Sequence, residues 1–516
     1  MPESFIEFVE MNGNDLTALF PTELIIVLVI ASILIPLVIA SHSYIKMKMQ
    51  LWTTARHILQ GDDHRNLPPI GLAARYLKYQ MKIPIEKGES VDKSSFDVLA
   101  HVMGTNDVNY IEKYWQYCPG LTFDQKPDGI HVRVEGDDYD CLLMSSLSYW
   151  GFHVNKEVRD YAFQKTIETG TGNHGSYLLL GKNLVVAEAY ERTKKFFNRK
   201  HCQWSASGFL ACMNLVAFLA VKGGIIFMDE KCHVCLRFGS KLGGCKVVKF
   251  PHQNYKALDK IMAKERPKYT GRALLVLDAL YSADGTIANL PRARELCDKY
   301  KVDIVMDEAH SLGTLGKTGH GIEEHFNMPG ACDFICGVFS KSLSSYGGYV
   351  VGNSDELKLM TISPGVGFAT GPHSFSAACV SKALEIIERD NGKTHAAMDE
   401  LRLWYVNELQ TKAKCHNIIH CGHNVFVSYP HTYAGSVVAV ELRKRGFLVS
   451  SFMFPSVPLD RSILRLTIHP LSTKENLTRF CETLGEVMAQ LAKDRFGDAV
   501  MFGPHNAAYY EEINQE

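Results

Sequence analysis

The chain has 516 residues, of which 46% are hydrophobic and 22% charged; this usage excludes wholesale disorder, and the length allows about two to four domains. Lys+Arg 55 against Asp+Glu 56 leaves a net charge of −1, which excludes a global field drawing the chain onto nucleic acid. The 14 cysteines form no short regular framework, so a disulfide scaffold is excluded and a reduced, cytosol-facing compartment is expected.

The first element is Leu24 to Ala40, apolar except for Ser32 and Pro36. As a helix it spans roughly 26 Å, slightly under a bilayer core of about 30 Å, and Phe20, Tyr44 and Ile45 can make up the shortfall. Residues before it include Glu3, Glu7, Glu10, Asp15 and Glu23 with no Lys or Arg, whereas Lys46, Lys48 and Arg56 follow it. A cleaved signal peptide needs a basic start. The charge asymmetry therefore predicts an uncleaved anchor with a lumenal N-terminus and a cytosolic remainder.

From about residue 100, short apolar runs alternate with amphipathic stretches. The runs are Gly224–Met228, Val247–Phe250, Leu274–Leu280, Asp303–Met306, Phe334–Phe339 and Tyr349–Val351; Leu290–Tyr300, with Pro291 in its first turn, reads as a helix. Continuous apolar runs separated by helices predict parallel strands buried on both faces, hence an α/β domain. Composition shifts after Gly371–Pro372. Beyond it Ala377–Arg389, Leu401–Lys414 and Ser436–Lys444 read as helices and Ile463–Ile468 as a strand. The expected organisation is a lumenal N-terminus (1–23), an anchor (24–40), a juxtamembrane segment and arm (41–100), a large domain (101–370) and a small α+β domain (371–516).

Chemistry concentrates at strand ends. Asp307-Glu308-Ala309-His310 closes one run, where α/β sheets bind ligands. Phe339-Ser340-Lys341-Ser342 closes the next, followed by Gly347–Gly348. An acid and a lysine so placed suit pyridoxal phosphate, which needs an amine for covalent attachment and an acid against its ring nitrogen. Ser207-Gly208-Phe209 opens a predicted helix whose N-terminus favours a phosphate, and His233 follows another strand. Two other patterns are set aside. The GKT of Gly316-Lys317-Thr318 lacks the earlier glycine of a P-loop, because position 311 is Ser. Cys232, Cys235, Cys332 and Cys336 read as small core residues rather than as a zinc site.

Seven segments in order carry a resemblance: TGTGNHGS (169–176), SGF (207–209), DEKCHV (229–234), LYSADGTIANL (280–290), DEAHSLGTLGKTGHG (307–321), GVFSKSLSSYGGY (337–349) and ILRLTIHP (463–470). From about Leu142 to Thr473 the chain resembles the α-oxoamine synthase family of fold-type I pyridoxal-phosphate enzymes. The resemblance implies a large, mainly parallel sheet domain, a small C-terminal domain and pyridoxal 5′-phosphate as cofactor, with no metal. It implies Lys341 as the cofactor-bearing lysine, Asp307 as partner of the ring nitrogen, and His310 and Ser282 on the ring-hydroxyl side. His233 would stack on the ring. Gly208, Phe209 and Ser340 would bind phosphate, Thr370 would reach a neighbouring subunit's phosphate, and Arg465 would hold the amino-acid carboxylate.

Together with the anchor, the resemblance implies condensation of L-serine with a fatty acyl-CoA to 3-ketosphinganine at the endoplasmic reticulum membrane. The implied partner is a lysine-lacking paralogue or a second copy. Glycine or alanine with a shorter acyl-CoA, or a non-catalytic scaffold, are the alternatives. Val338, Tyr177, Val186, Cys232 and Asp278 depart from the family pattern.

Overall fold

A computed structural model describes residues 121–503 except 432, 454, 455 and 459. The anchor at 24–40, the arm at 41–100 and the acidic tail at 509–516 lie outside the described residues. Among the described residues, no helix is long and apolar enough to cross a membrane.

Three short strands come first: β1 (Phe123–Gln125), β2 (His131–Val134) and β3 (Asp140–Leu143). The central sheet follows: β4 (His201–Ser205), β5 (Ile225–Asp229), β6 (Lys246–Phe250), β7 (Ala273–Asp278), β8 (Asp303–Asp307), β9 (Phe334–Val338) and β10 (Gly348–Gly352). The chain closes with β11 (Ile418–Cys421), β12 (Asn424–Tyr429), β13 (Phe447–Leu448), β14 (Ser450–Phe452) and β15 (Ser462–Thr467).

The seven-stranded order is β4-β10-β9-β8-β7-β5-β6. The pairs from β9 through β8, β7 and β5 to β6 are parallel, as the continuous apolar runs predict. One expectation is corrected. The run at Tyr349–Val351 belongs to β10, which is antiparallel to both β9 and β4, so the sheet is mixed. Only nine residues join β9 to β10, too few for a parallel crossover, which needs a dozen or more. The edge strand β4 was not among the expected runs; its HCQWS sequence mixes polar and apolar side chains, yet Gln203 and Trp204 are buried.

Period-two alternation divides the core. Leu275, Leu277, Ile304 and Met306 pack on one side of the sheet, with the helices Leu184–Phe196, Leu290–Tyr300 and Ser374–Asp390. Leu274, Val276 and Val305 pack on the other, against the helices Gly208–Leu219 and Val234–Leu242. A second sheet, β11-β12-β15-β14, is antiparallel. The first three strands do not join the central sheet. They continue into β13, so residues 123–143 hydrogen-bond to the C-terminal part of the chain.

Candidate active site

The candidate residues arrive at one place because they sit at the C-terminal ends of adjacent strands. β7 ends in Asp278 and β8 in Asp307, which are register partners. Lys341 follows β9, His233 follows β5, and Gly208 follows β4. A cavity of about 160 Å³ is lined by Gly208, Phe209, His233, Ser282, Asp307, His310 and Lys341 together with Asp278, Val338, Cys212 and Cys235. Seven expected site residues thus share one cavity.

The lysine is held directly by its neighbours. Lys341 Nζ lies 2.8 Å from His310 Nε2. Burial pushes its pKa down to about 8, opposed by the charge of Asp307 and reinforced by Arg465. His310 is buried, and burial, with Lys341 and Arg465 close by, holds its ring well below the usual imidazole range and so neutral. Its Nδ1 lies 2.9 Å from the hydroxyl of buried Tyr149, which donates to Asn424 Oδ1 at 3.1 Å. A carbonyl oxygen only accepts, so the Tyr149 proton is committed to Asn424 and His310 Nδ1–H donates to the Tyr149 oxygen. The Nε2 lone pair then faces Lys341, which donates to it. Neither Tyr149 nor Asn424 was expected from the sequence. They stand 275 positions apart, and only tertiary packing brings them together.

Removing that hydroxyl has a definite cost. Tyr149→Phe leaves the His310 donor and the Asn424 acceptor buried without partners, an expected loss of about 1–3 kcal/mol in urea unfolding. An unchanged unfolding midpoint would show that the two bonds contribute nothing.

Asp278 is the other residue that sequence reading named only as a departure. Burial, and then the charge of Asp307 beside it, raise its carboxyl well above the usual range. Both its oxygens lie 3.2 Å from the backbone N–H of His233, so Asp278 fixes the loop that carries that ring. His233 Nδ1 also meets Cys235 Sγ at 2.9 Å. Glu308, by contrast, is structural: it is buried and accepts from Ile322 N–H at 3.0 Å.

The phosphate end is built by the helix Gly208–Leu219, capped by Ser207, whose hydroxyl accepts from Leu210 N–H at 3.2 Å. A Cβ at position 208 would collide with the Val338 side chain, so glycine is required where the helix start meets β9. Val338 stands on the cavity wall and offers no hydroxyl. Ser340 lies elsewhere. The Phe339 ring is fixed in the core against Trp204 and Tyr349, the chain turns after it, and Ser340 is exposed in a neighbouring groove of about 760 Å³. Thr370 is exposed, outside the cavity. Tyr177 is buried and its hydroxyl donates to Pro372 O at 2.8 Å, tying the 169–176 segment to the stretch that follows Thr370.

Arg465 enters from the second sheet. It pairs with Phe426 across β12 and β15 and so shares that face, where Phe426 packs with Leu280 and Leu315. Its Nη1 donates to Ser282 O at 3.3 Å and its guanidinium lies over the Phe452 ring at 4.8 Å. Its Nε is buried without a partner, a vacant donor suited to a carboxylate. Amine, acid, capped helix start and flanking ring therefore fit pyridoxal phosphate, and the orphaned guanidinium nitrogen fits an amino-acid substrate.

Comparison with known proteins agrees. The family model for aminotransferase class I and II matches residues 152–484. A putative 8-amino-7-oxononanoate synthase of Acetivibrio thermocellus is 30% identical over 363 residues, 68% of this chain and 91% of that protein. Serine palmitoyltransferase of Caulobacter vibrioides is 26% identical over 378 residues, 72% of this chain and 91% of that protein. Among solved structures, Sphingomonas wittichii serine palmitoyltransferase superposes with a TM-score of 0.68 at 21% identity, covering 72% of this chain and 92% of that one.

Proposed function

The chain belongs to the aminotransferase class I and II family and within it to the α-oxoamine synthases, and we propose that it condenses L-serine with a fatty acyl-CoA, releasing CO₂ and CoA and giving 3-ketosphinganine. Pyridoxal 5′-phosphate, the cofactor of the family, supplies an electron sink for a carbanion at the amino-acid α-carbon. The observation that carries the reading is the meeting of Lys341, Asp307 and His310 in one cavity, with the unpartnered Arg465 Nε offered by the second sheet.

Each residue has a distinct task. Lys341 would hold the cofactor covalently and would serve as the base for the α-proton; a pKa of about 8 leaves a useful neutral fraction near neutral pH. Asp307 holds the proton on the ring nitrogen. Neutral His310 accepts an N–H from Lys341 and so holds the amine in place with its lone pair free. Arg465 grips the serine carboxylate, the group that leaves as CO₂. His233 covers the ring face. The choice of serine is supported by the serine palmitoyltransferases of Caulobacter vibrioides and Sphingobacterium spiritivorum among the relatives. A long acyl chain is supported by the groove beside Ser340, whose wall includes Leu121, Leu143, Leu147, Val440 and Leu448.

The 8-amino-7-oxononanoate synthases among the relatives favour a second reading, glycine or alanine with a shorter acyl-CoA. Purified protein loaded with cofactor and palmitoyl-CoA separates the two. The expected product by mass spectrometry is the C18 ketone from L-serine. Turnover of alanine or glycine alone would replace the reading, and failure to bind cofactor at all would leave a scaffold subunit.

The reading extends to place and partner. The segment 24–40 anchors the enzyme in the endoplasmic reticulum membrane with its catalytic part cytosolic, beside the bilayer that receives the product. A glycosylation acceptor inserted before Glu23 is then modified, and one after Arg56 is not; the reverse pattern puts the site in the lumen. The active unit is a dimer with a lysine-lacking paralogue or a second copy, in which Thr370 reaches across to the partner's phosphate. Val338 removes one local hydroxyl, so this contribution weighs more.

A further inference from the structure

Along one wall of the cavity stands a group of side chains to which catalysis assigns no joint task. Cys212 lies in the helix Gly208–Leu219, Cys336 in β9 and Asp307 at the end of β8, and all three are buried. The two Sγ atoms and a carboxylate oxygen lie within 4.8 Å of one another. Cys235, at the start of the helix Val234–Leu242, meets both the Cys212 thiol and the His233 ring. Cys212, Cys235 and Asp307 all line the cavity, so the group is reached from it. Among the described residues no other three His, Cys, Asp or Glu side chains gather in this way.

Three thiols and a carboxylate are a donor set for a soft divalent cation. Tetrahedral coordination with sulfur at about 2.3 Å and oxygen at about 2.0–2.2 Å puts neighbouring donors roughly 3.5–3.8 Å apart. For Cys212, Cys336 and Asp307 the observed separations therefore close with shifts on the order of 1 Å, and Cys235, which meets the Cys212 thiol, completes the set from the helix Val234–Leu242. We propose that the cofactor-free enzyme binds a thiophilic divalent cation, of the zinc or cadmium kind, through Cys212, Cys235, Cys336 and Asp307, and that this excludes pyridoxal phosphate.

Binding replaces three S–H bonds with metal–sulfur bonds and releases three protons; no electron moves and no oxidant is needed. The resulting group carries a charge of −2. Lys341, which already feels both Asp307 and Cys212, and Arg465 offset it. Exclusion follows from geometry, because the cation takes the carboxylate that the cofactor ring needs. Packing as small apolar residues, the ordinary fate of buried cysteines, accounts for each thiol singly but not for their gathering around an acid that faces the cavity.

The inference rests on the cofactor assignment and not on the choice of serine. Its test uses the full chain stripped of cofactor and titrated with cadmium, followed by thiolate-to-metal absorption in the ultraviolet. One equivalent per chain is expected, with the absorption lost in Cys212→Ala/Cys336→Ala. The same protein loaded first with pyridoxal phosphate should show no such absorption, an arm that needs no variant. Absence of the band in the stripped protein, or its persistence in a folded double variant, overturns the site. Equal binding by loaded protein overturns the exclusion. The titration of stripped protein needs no cofactor, so a chain that never takes pyridoxal phosphate fails the earlier reading separately.

Discussion

Lys341→Ala should abolish both covalent cofactor attachment and turnover, the largest effect expected of any single substitution. Among the described residues no other amine lines the cavity, so Lys341 alone is placed to take the role. The effect has a pH signature in the unmutated protein. Attachment requires the neutral amine, and Lys341 is pushed down from 10.5 to about 8. At pH 8 this raises the neutral fraction from about one in 300 to about one half. The rate at which stripped protein takes up pyridoxal phosphate, followed by its visible absorption, should therefore rise as pH increases through about 8 and level off above it. Asp307 works against the downward shift, so Asp307→Asn should move that midpoint to lower pH. A reducible adduct mapped to a different lysine would remove the assignment.

The sequence discloses the interior more readily than the approach to it. β5, β7, β8 and β9 stand out as unbroken apolar runs because both faces of the sheet are covered, leaving no polar alternation to confuse them. Asp307 and Lys341 are legible for the same reason: each is the first ionisable side chain after such a run, at the end where ligands bind. β10 is equally apolar, but apolarity carries no direction, and only the short connection after Lys341 betrays that it runs backwards. Tyr149 and Asn424 were invisible because their relation to His310 exists only once the two sheets pack. The same holds for the thiols. Cys235 and Cys336 were paired by spacing with Cys232 and Cys332, whereas the fold pairs them with Cys212, a helical residue that no spacing rule selects. Ser340 and Thr370 came from resemblance alone; both are exposed and neither lines the cavity.

Asp307→Asn should separate binding from chemistry. The amide keeps the size of the side chain and its place at the end of β8, and the cavity keeps Lys341, His310 and the capped helix start, so cofactor should still attach. What is lost is the charge that holds a proton on the ring nitrogen, and with it most of the capacity to stabilise a carbanion. Removing one preorganised electrostatic partner of this kind costs roughly 10²–10³-fold in rate. The measurement is exchange of the serine α-proton with deuterated solvent, which needs no acyl-CoA and so is independent of acyl-chain choice. Asp278 sharpens the contrast. It sits opposite Asp307 in the sheet, but burial and its neighbour's charge raise its carboxyl well above the usual range. It therefore serves as the acceptor for the His233 backbone rather than as a second ring partner. Once Asp307 is neutral, Asp278 loses a repelling charge and its pKa should fall, so partial rescue at higher pH is the expected pattern. Exchange at near the unmutated rate across the whole pH range would show that the ring nitrogen does not depend on this carboxylate.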